Sequence, residues 1–185
     1  MIVEDDRTRA DGVQGHAMFS PDRAYRYALS RLWAGHHGTL IFILLNPSTA
    51  DAHDDDPTVR RCMGFAIREG YSGIIVVNLF ALRSANPRAL READDPVGPD
   101  NQATLMGMCA AGRPVVAAWG ANASHPLLRQ QANWMHTVLS AARFTAGEEP
   151  RCFGWTNSSQ PRHPLYLRGD TPLEKLYFRR LGELP

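Results

Sequence analysis

Four short apolar runs divide this chain of 185 residues, and each run ends in polar side chains. The runs cover residues 39–45, 74–77, 115–118 and 152–155. Short, nearly continuous apolar runs are typical of strands that are buried on both faces of a parallel sheet. Ligands bind in the crevice beyond the carboxyl ends of such strands. We therefore expect the polar residues after the four runs to contribute to one pocket.

Segments with apolar residues at helical spacing lie between the runs. In the first of them, Asp56-Pro57 predicts a helix start with aspartate as N-cap, and Gly70 predicts its end. Strands that alternate with helices predict a three-layer α/β/α sandwich with a mainly parallel four-stranded central sheet. The other predicted helices cover residues 100–111, 126–142 and 173–181, with a short helical turn at Asn86-Pro87.

The N-terminal part of the chain gives weaker signals. Residues 1–23 show no periodicity, so we expect a loose N-terminal lead-in before a single α/β domain over residues 24–185. The segment 25–33 fits a period of two and a period of 3.6 equally well. Its aromatic content favours an added N-terminal edge strand.

Composition excludes several classes of protein. No apolar run is long enough to span a membrane, and the N-terminus is unlike a signal peptide, so we expect a cytoplasmic protein without membrane contact. Cys62, Cys109 and Cys152 form no CxxC pair, so we expect neither a metal–thiolate site nor a disulfide scaffold. The formal net charge of +1 gives no general attraction to nucleic acid.

The basic residues are almost all arginine, since Lys175 is the single lysine among 20 basic residues. The planar fork of arginine suits phosphate and carboxylate groups, which favours a binding role. A GC-rich genome would produce the same bias through arginine codons, without any selection for binding. The sequence leaves both explanations open.

The segment after the first run carries the largest set of candidate site residues. Pro47 forces an extended exit from the strand, and Asn46, Ser48 and Asp51 surround it. An Asx-type or Ser-type turn that caps the next element is the alternative interpretation. Because such a turn needs fewer polar groups, we expect these four residues to belong to the site.

The second and third runs end in an amide and an indole. Asn78 offers the acceptor and the two donors that are needed to read the edge of a base. Trp119 or Phe80 would provide an aromatic surface on which a base stacks. A structural asparagine and a core tryptophan are the alternative interpretations.

The loop after the fourth run contains Gln160, Arg162 and His163. An imidazole beside an arginine in a rigid loop suits the stabilisation of a developing anion. The sequence contains no GxGxxG and no GxxxxGK[ST] loop, and we expect no cofactor.

The acidic segment before the first predicted helix allows two interpretations. His53 and the three carboxylates Asp54–Asp56 would repel one another unless they met Mg²⁺ or an arginine. The same carboxylates would also favour the helix dipole, with Asp56 as N-cap.

These motifs resemble those of an uncharacterised bacterial family, domain of unknown function 1643, over roughly residues 25–167. The resemblance rests on strings at strand ends and in the loops between them. The matching strings are LNPSTAD at 45–51, DDPT at 55–58, VNLF at 77–80, DPVGP at 95–99, AWG at 118–120 and QPRHPL at 160–165.

More distantly, four motifs resemble the uracil-DNA glycosylase superfamily by their order along the chain. The resemblance implies a glycosylase-like fold in which the asparagine of the second strand pairs with a flipped uracil. It also implies a histidine that stabilises charge on the departing base. The similar motifs are Asn46-Pro47-Ser48, Val76-Val77-Asn78, Ala118-Trp119-Gly120 and His163-Pro164-Leu165.

The function predicted from these observations is recognition of a nucleobase or nucleotide with hydrolysis of an N-glycosidic bond. Asn46, Asp51 and His163 are the expected catalytic residues, and the partner is a small nucleotide or a single-stranded or flipped nucleic acid. Asn46 stands where the most active relatives have a water-activating aspartate, and an amide can position water but cannot act as a general base.

Two alternatives remain open at this point. A binding module would keep the pocket without the chemistry. A metal-assisted phosphoester hydrolase would use Asp51 and Asp54–Asp56.

Overall fold

The computed structural model describes residues 2–35, 38–146 and 149–177. Within these residues, eight strands form one sheet in the order β1-β2-β3-β5-β4-β6-β7-β8, and three α-helices accompany them. The strands are β1 Val3–Thr8, β2 Gln14–Phe19, β3 Arg26–Leu32, β4 Thr39–Leu44, β5 Gly73–Asn78, β6 Val115–Ala117, β7 Arg151–Cys152 and β8 Glu174–Lys175.

The sheet is larger than the predicted one and mostly antiparallel. Strands β5, β4, β6 and β7 pair in parallel and correspond to the four predicted strands. The other four of the seven pairings are antiparallel. The prediction of an α/β fold is therefore confirmed, whereas a sheet of only four, mainly parallel strands is wrong.

Two strands occupy the segment that we expected to be a loose lead-in. Strands β1 and β2 form an antiparallel pair, and β2 pairs with β3, so β3 lies inside the sheet and is not an edge strand. The buried positions of β2 include Gly15 and Ala17, which are too small to produce a visible hydrophobic alternation. Gly15 is required there, because a Cβ atom would lie 2.1 Å from the carbonyl oxygen of Ala52.

The first helix, α1 at Pro57–Arg68, begins as predicted. The Asp56 carboxylate caps it by accepting a hydrogen bond of 2.8 Å from the Val59 backbone N–H. Val59 and Phe65 are buried against the face of β4 that carries Leu40 and Phe42. Ile67, by contrast, is 57% exposed, whereas Phe65 occupies an interior position.

Helices α2 at Asn101–Ala110 and α3 at Pro126–Ala146 cover the opposite face of the sheet, as predicted. Two amides hold this layer to the end of β5. The Asn101 side chain donates to the carbonyls of Asn78 and Leu79 at 3.1 and 3.0 Å, and the Gln131 side chain donates to that of Leu79 at 3.0 Å. The short helical turn predicted at Asn86-Pro87 is also present, as a 3₁₀ helix.

The helix predicted over residues 173–181 is absent from the described residues of that segment. Glu174–Lys175 instead pair with β7, and the Leu176 N–H donates to the Pro150 carbonyl at 2.7 Å. Leu176 is buried and Tyr177 is exposed, an alternation that suits a strand at the free edge of β7. The rest of the predicted helix, with Leu181, lies outside the described residues.

None of the described helices is long and apolar enough to cross a membrane. The predicted cytoplasmic location stays a prediction.

Candidate functional site

A cavity of about 510 Å³ lies beyond the carboxyl ends of β4, β6 and β7. Its wall comes from the segments that follow these strands, from the loop after β5 and from the first residues of α1. Five of the predicted site residues line it: Asn46, Ser48, Trp119, Arg162 and His163. The structure therefore brings together residues from three of the four strand ends.

The other predicted site residues lie outside this wall. Pro47 is buried, and its carbonyl accepts a hydrogen bond of 2.9 Å from the Ser84 N–H. Phe80 belongs to the hydrophobic core, where it is 2% exposed. Gln160 is buried and accepts a hydrogen bond of 2.8 Å from the Trp119 indole. Their contacts are structural, and Trp119 itself is only 1% exposed, so it contributes little stacking surface.

The orientation of the Asn46 side chain is fixed by two backbone carbonyls. Its Nδ2 group donates to the carbonyl of Ser84 at 2.8 Å and to that of Pro47 at 3.1 Å. Both N–H groups are therefore engaged, and the amide oxygen is left as the hydrogen-bonding atom. Asn46 accordingly fastens the loop after β4 to the loop after β5 while it lines the cavity.

This geometry predicts the effect of placing an aspartate at position 46. In Asn46→Asp, a carboxylate would face two carbonyl oxygens to which it cannot donate, and like partial charges would meet. We expect the free energy of unfolding to fall by about 1–3 kcal/mol, which denaturant titration measures. Asn122→Asp provides the control, because Asn122 lines the same cavity but is exposed. Equal stability of N46D and the wild type would contradict this role.

The His163 imidazole is held neutral by its surroundings. Its Nδ1 atom accepts a hydrogen bond of 3.3 Å from the Leu165 N–H. Burial lowers the pKa of His163 to about 4, although the negative charge of Asp56 acts in the opposite direction. At neutral pH the ring proton is therefore on Nε2, which is left to donate a hydrogen bond.

Gly120 allows His163 to occupy this position. A Cβ atom at residue 120 would lie 3.0 Å from the His163 Cβ. Gly120 also has a φ of +80° and a ψ of 178°, a combination that is essentially restricted to glycine. The Trp119-Gly120 pair thus matters at the site mainly because glycine makes room for the histidine.

The carboxylates of the acidic segment do not converge on a common point. Asp51 accepts hydrogen bonds from the backbone N–H groups of His53 and Asp54 at 2.8 and 3.0 Å. Asp55 lies between Arg9 and Arg31, at 2.6 and 2.7 Å. In the described part of the chain, no three histidine, cysteine or acidic side chains are arranged to hold a metal ion. The geometry therefore gives no support to a metal-assisted hydrolase.

Asn78 is completely buried at the end of β5. Neither its Nδ2 nor its Oδ1 atom has a hydrogen-bond partner among the described residues. An unpaired amide of this kind is rare in a protein interior and calls for an explanation. Asn78 does not belong to the cavity wall, although its strand neighbour β4 leads directly into it.

Two buried arginines that were not among the predicted site residues support the loop between β4 and α1. The Arg26 Nη1 group donates to the Ala50 carbonyl at 2.7 Å, and Arg31 donates to the carbonyls of Asp51 and Asp54. Burial lowers the pKa of Arg26 to about 10, so it remains a cation at neutral pH. The feature of the sequence that could have indicated their role is the presence of arginines inside an otherwise apolar strand.

Other residues of the wall were not among the predicted residues of the glycosylase-like site, and Asp56 was expected only as an N-cap or a metal ligand. Asp56 lines the cavity in addition to capping α1, and Tyr166 stands at its rim with 85% exposure. The position of Tyr166 directly after His163-Pro164-Leu165 could have indicated it. Ser84 also lines the cavity, and nothing in the sequence distinguishes it from other loop serines.

Comparison with protein families identifies the segment that builds this site. The family model described as Protein of unknown function (DUF1643) matches residues 26–165. The chain belongs to this family. Comparison with curated proteins gives no match.

The matched DUF1643 segment begins at the first residue of β3 and ends two residues after His163. It contains the parallel strands, α1 and all the predicted site residues. Strands β1 and β2 lie before it, and β8 lies after it. The cavity therefore belongs to the DUF1643 part of the chain, apart from Tyr166 and Leu167 at its rim.

Proposed function

We propose that the cavity recognises a nucleobase or nucleotide and that the protein hydrolyses an N-glycosidic bond, as a uracil-DNA glycosylase-like enzyme. The observation that carries this proposal is that Asn46 and His163 line the same cavity. One offers a fixed acceptor and the other a neutral donor. These are the two functions needed to orient water and to stabilise a departing base.

His163 would act on the leaving group. A base that departs with the electron pair of the glycosidic bond becomes an anion, and an N–H donor stabilises it without losing its own proton. The low pKa of His163 keeps the ring neutral at pH 7, so Nε2 can serve as that donor without adding positive charge. Arg162, which is exposed beside it in the wall, would attract a phosphate group of the substrate.

The dimensions of the cavity agree with a small ligand. Sites for small molecules commonly have volumes of about 300–1,000 Å³, and this cavity has about 510 Å³. The exposed ring of Tyr166 lies 6.3 Å from the His163 ring, between centroids, and would cover a bound base from outside. Binding of a free nucleotide, or of an unpaired nucleotide in a strand, would not require the free energy that unpairs a base from a duplex.

Asn78 is the proposed reader of the base edge. Its unpaired donor and acceptor are what a base edge would satisfy. Since Asn78 does not line the cavity, a ligand that bonds to it requires the wall to rearrange.

The direct test combines binding and turnover. Purified protein is incubated with nucleobases, nucleotides and oligonucleotides that contain uracil, hypoxanthine or a mismatch, and both Tm and released base are measured. A ligand at 100 times its Kd should stabilise the fold by about 2.7 kcal/mol. His163→Gln should retain binding and release base more slowly, with exposed-loop His53→Gln as the matched control. No stabilisation and no release with any compound would contradict the proposal.

A binding module without catalysis is the second candidate, and the contacts of Asn46 favour it. Both N–H groups of this amide are engaged by carbonyls, which is a structural use of the side chain. This candidate predicts saturable binding of a nucleobase or nucleotide, with no released base from any substrate.

A further inference from the structure

We propose that Asp56 is the carboxylate that activates water in the cavity, an assignment that rests on the proposed N-glycosidic hydrolysis. Its role as the N-cap of α1 explains one oxygen of this side chain but not its position in the wall. A general base would accelerate hydrolysis beyond what a positioned water allows, and the Asn46 amide cannot provide one.

The contacts of the acidic segment single out Asp56. The carboxylate of Asp51, which was among the predicted catalytic residues, accepts hydrogen bonds from the N–H groups of His53 and Asp54 and lies outside the wall. Asp55 is paired with two arginines. Among the carboxylates at residues 51–56, which the structure describes in full, that of Asp56 is the one that lines the cavity.

One oxygen of Asp56 remains available to a ligand. Its Oδ1 atom accepts the 2.8 Å hydrogen bond from Val59, whereas Oδ2 has no hydrogen bond or ion pair within the described residues. The nearby arginines of α1 are directed elsewhere: Arg60 donates to the Asp55 carbonyl and Arg61 to that of Leu167. The N-terminus of α1 also favours a negative charge at this point.

Asp56 lies close enough to the other site groups to affect them. Its negative charge opposes the burial that lowers the pKa of both His163 and Arg26. Asp56 and His163 line the same cavity, and Arg26 is a buried cation beneath the loop that leads to Asp56. This arrangement combines an acceptor for a proton with a neutral donor for the leaving base.

The proposed step is a hydrolysis in which Asp56 Oδ2 takes a proton from water. The water oxygen forms a bond to the anomeric carbon, and the C–N bond to the base breaks. The electron pair of that bond leaves with the base, whose charge is stabilised by the His163 Nε2–H. The proton on Asp56 then passes through solvent to the base, so that the products are the free base and the sugar hydroxyl.

Asp56→Asn separates the chemical role from the structural one. Asparagine is as good an N-cap as aspartate, so α1 should keep its start and the Tm should change little. Base release from the uracil, hypoxanthine or nucleotide substrates should fall about 100-fold or more, mainly in kcat, while ligand binding persists.

Asp100→Asn is the matched control. Asp100 occupies the N-cap position of α2, where its side chain makes no capping hydrogen bond, and it does not line the cavity. Its rate should equal that of the wild type. Asp56→Ser, which also keeps a capping oxygen, takes the place of Asp56→Asn if the latter fails to fold.

The outcomes separate the two proposals. Wild-type rates in a folded D56N or D56S variant would overturn the role of Asp56 and leave the glycosylase proposal standing. Ligand binding by the wild type without base release from any substrate would overturn the role of Asp56 and leave nucleobase recognition standing. The absence of both binding and release would overturn both proposals.

Discussion

Replacing Arg31 with methionine is expected to lower the free energy of unfolding by about 3–5 kcal/mol. The Arg31 side chain is fully buried, and its Nε group donates to the Asp55 carboxylate at 2.7 Å. It also donates to the carbonyls of Asp51 and Asp54. Methionine would fill the space but leave the Asp55 carboxylate, which is only 6% exposed, with Arg9 as its one ion-pair partner among the described residues. The Asp51 carbonyl would lose the Arg31 donor, whereas the Asp54 carbonyl would keep its hydrogen bond of 3.2 Å from the Asp51 N–H.

Urea titration of R31M against the wild type measures this effect. Arg168→Met provides the control, because Arg168 forms its ion pair with Asp170 at the surface, where the arginine side chain is 86% exposed. Exposed pairs contribute about 0–1 kcal/mol, so this variant should be nearly as stable as the wild type. A loss below about 1 kcal/mol in R31M would show that the buried network is not needed to hold the loop between β4 and α1.

Replacing Gly120 with alanine is expected to lower the free energy of unfolding by about 2–4 kcal/mol. Two effects add at this position. The backbone angles of residue 120 are unfavourable for any residue with a Cβ, and that atom would lie 3.0 Å from the His163 Cβ. Relief of this contact requires His163 or residue 120, both of which line the cavity, to shift, so we expect ligand binding and base release to fall together.

Gly112→Ala separates the two effects. Gly112 also has a positive φ, of +68°, but a Cβ atom there would meet nothing within 4 Å. We expect this variant to lose about 1 kcal/mol, from the backbone alone. Guanidinium or thermal unfolding of both variants then gives, as the difference, the combined cost of the contact with His163 and of the rarer backbone angles at residue 120. Equal losses would mean that His163 moves without strain.

The sequence predicted the centre of the fold well because its strands are buried on both faces. In β4, neighbouring side chains enter opposite hydrophobic clusters, which explains the continuous apolar run. The N-terminal strands were missed because the inward face of β2 carries Gly15 and Ala17, which are too small to produce a visible hydrophobic alternation. β8 was missed because the position of Leu176 among its neighbours is compatible with a strand and with a helix alike. Pairing with β7, which is not a local feature of the sequence, decides for the strand.

The candidate site was predicted only in part, because strand ends specify where a residue lies but not where its side chain points. Asn46 lies two residues after β4, His163 lies in the loop after β7, and both line the cavity. The choice between Asp51 and Asp56 depends on how the acidic segment is folded by Arg31, which is remote in the sequence. No local pattern in that segment carries this information.

The abundance of arginine now has a structural explanation. Several guanidinium groups around the cavity donate to backbone carbonyls of loops, which a planar fork does better than a lysine ammonium. In this way arginines of α1 and β3 hold the segment between β4 and α1 and the segment after His163, and both segments contribute residues to the cavity wall. The pairs are Arg26 with Ala50, Arg31 with Asp51 and Asp54, Arg60 with Asp55, Arg61 with Leu167, Arg68 with Gly169 and Thr171, and Arg83 with Arg23.

These contacts join a charge to a dipole at hydrogen-bond distance, well inside the Debye length of about 8–10 Å at physiological ionic strength. Added electrolyte screens interactions between separated charges far more than it weakens such contacts. The cavity wall should therefore keep its shape from dilute buffer to concentrated salt. Any dependence of ligand affinity on ionic strength would then report the charge of the ligand and of Arg162, rather than loosening of the loops that surround them.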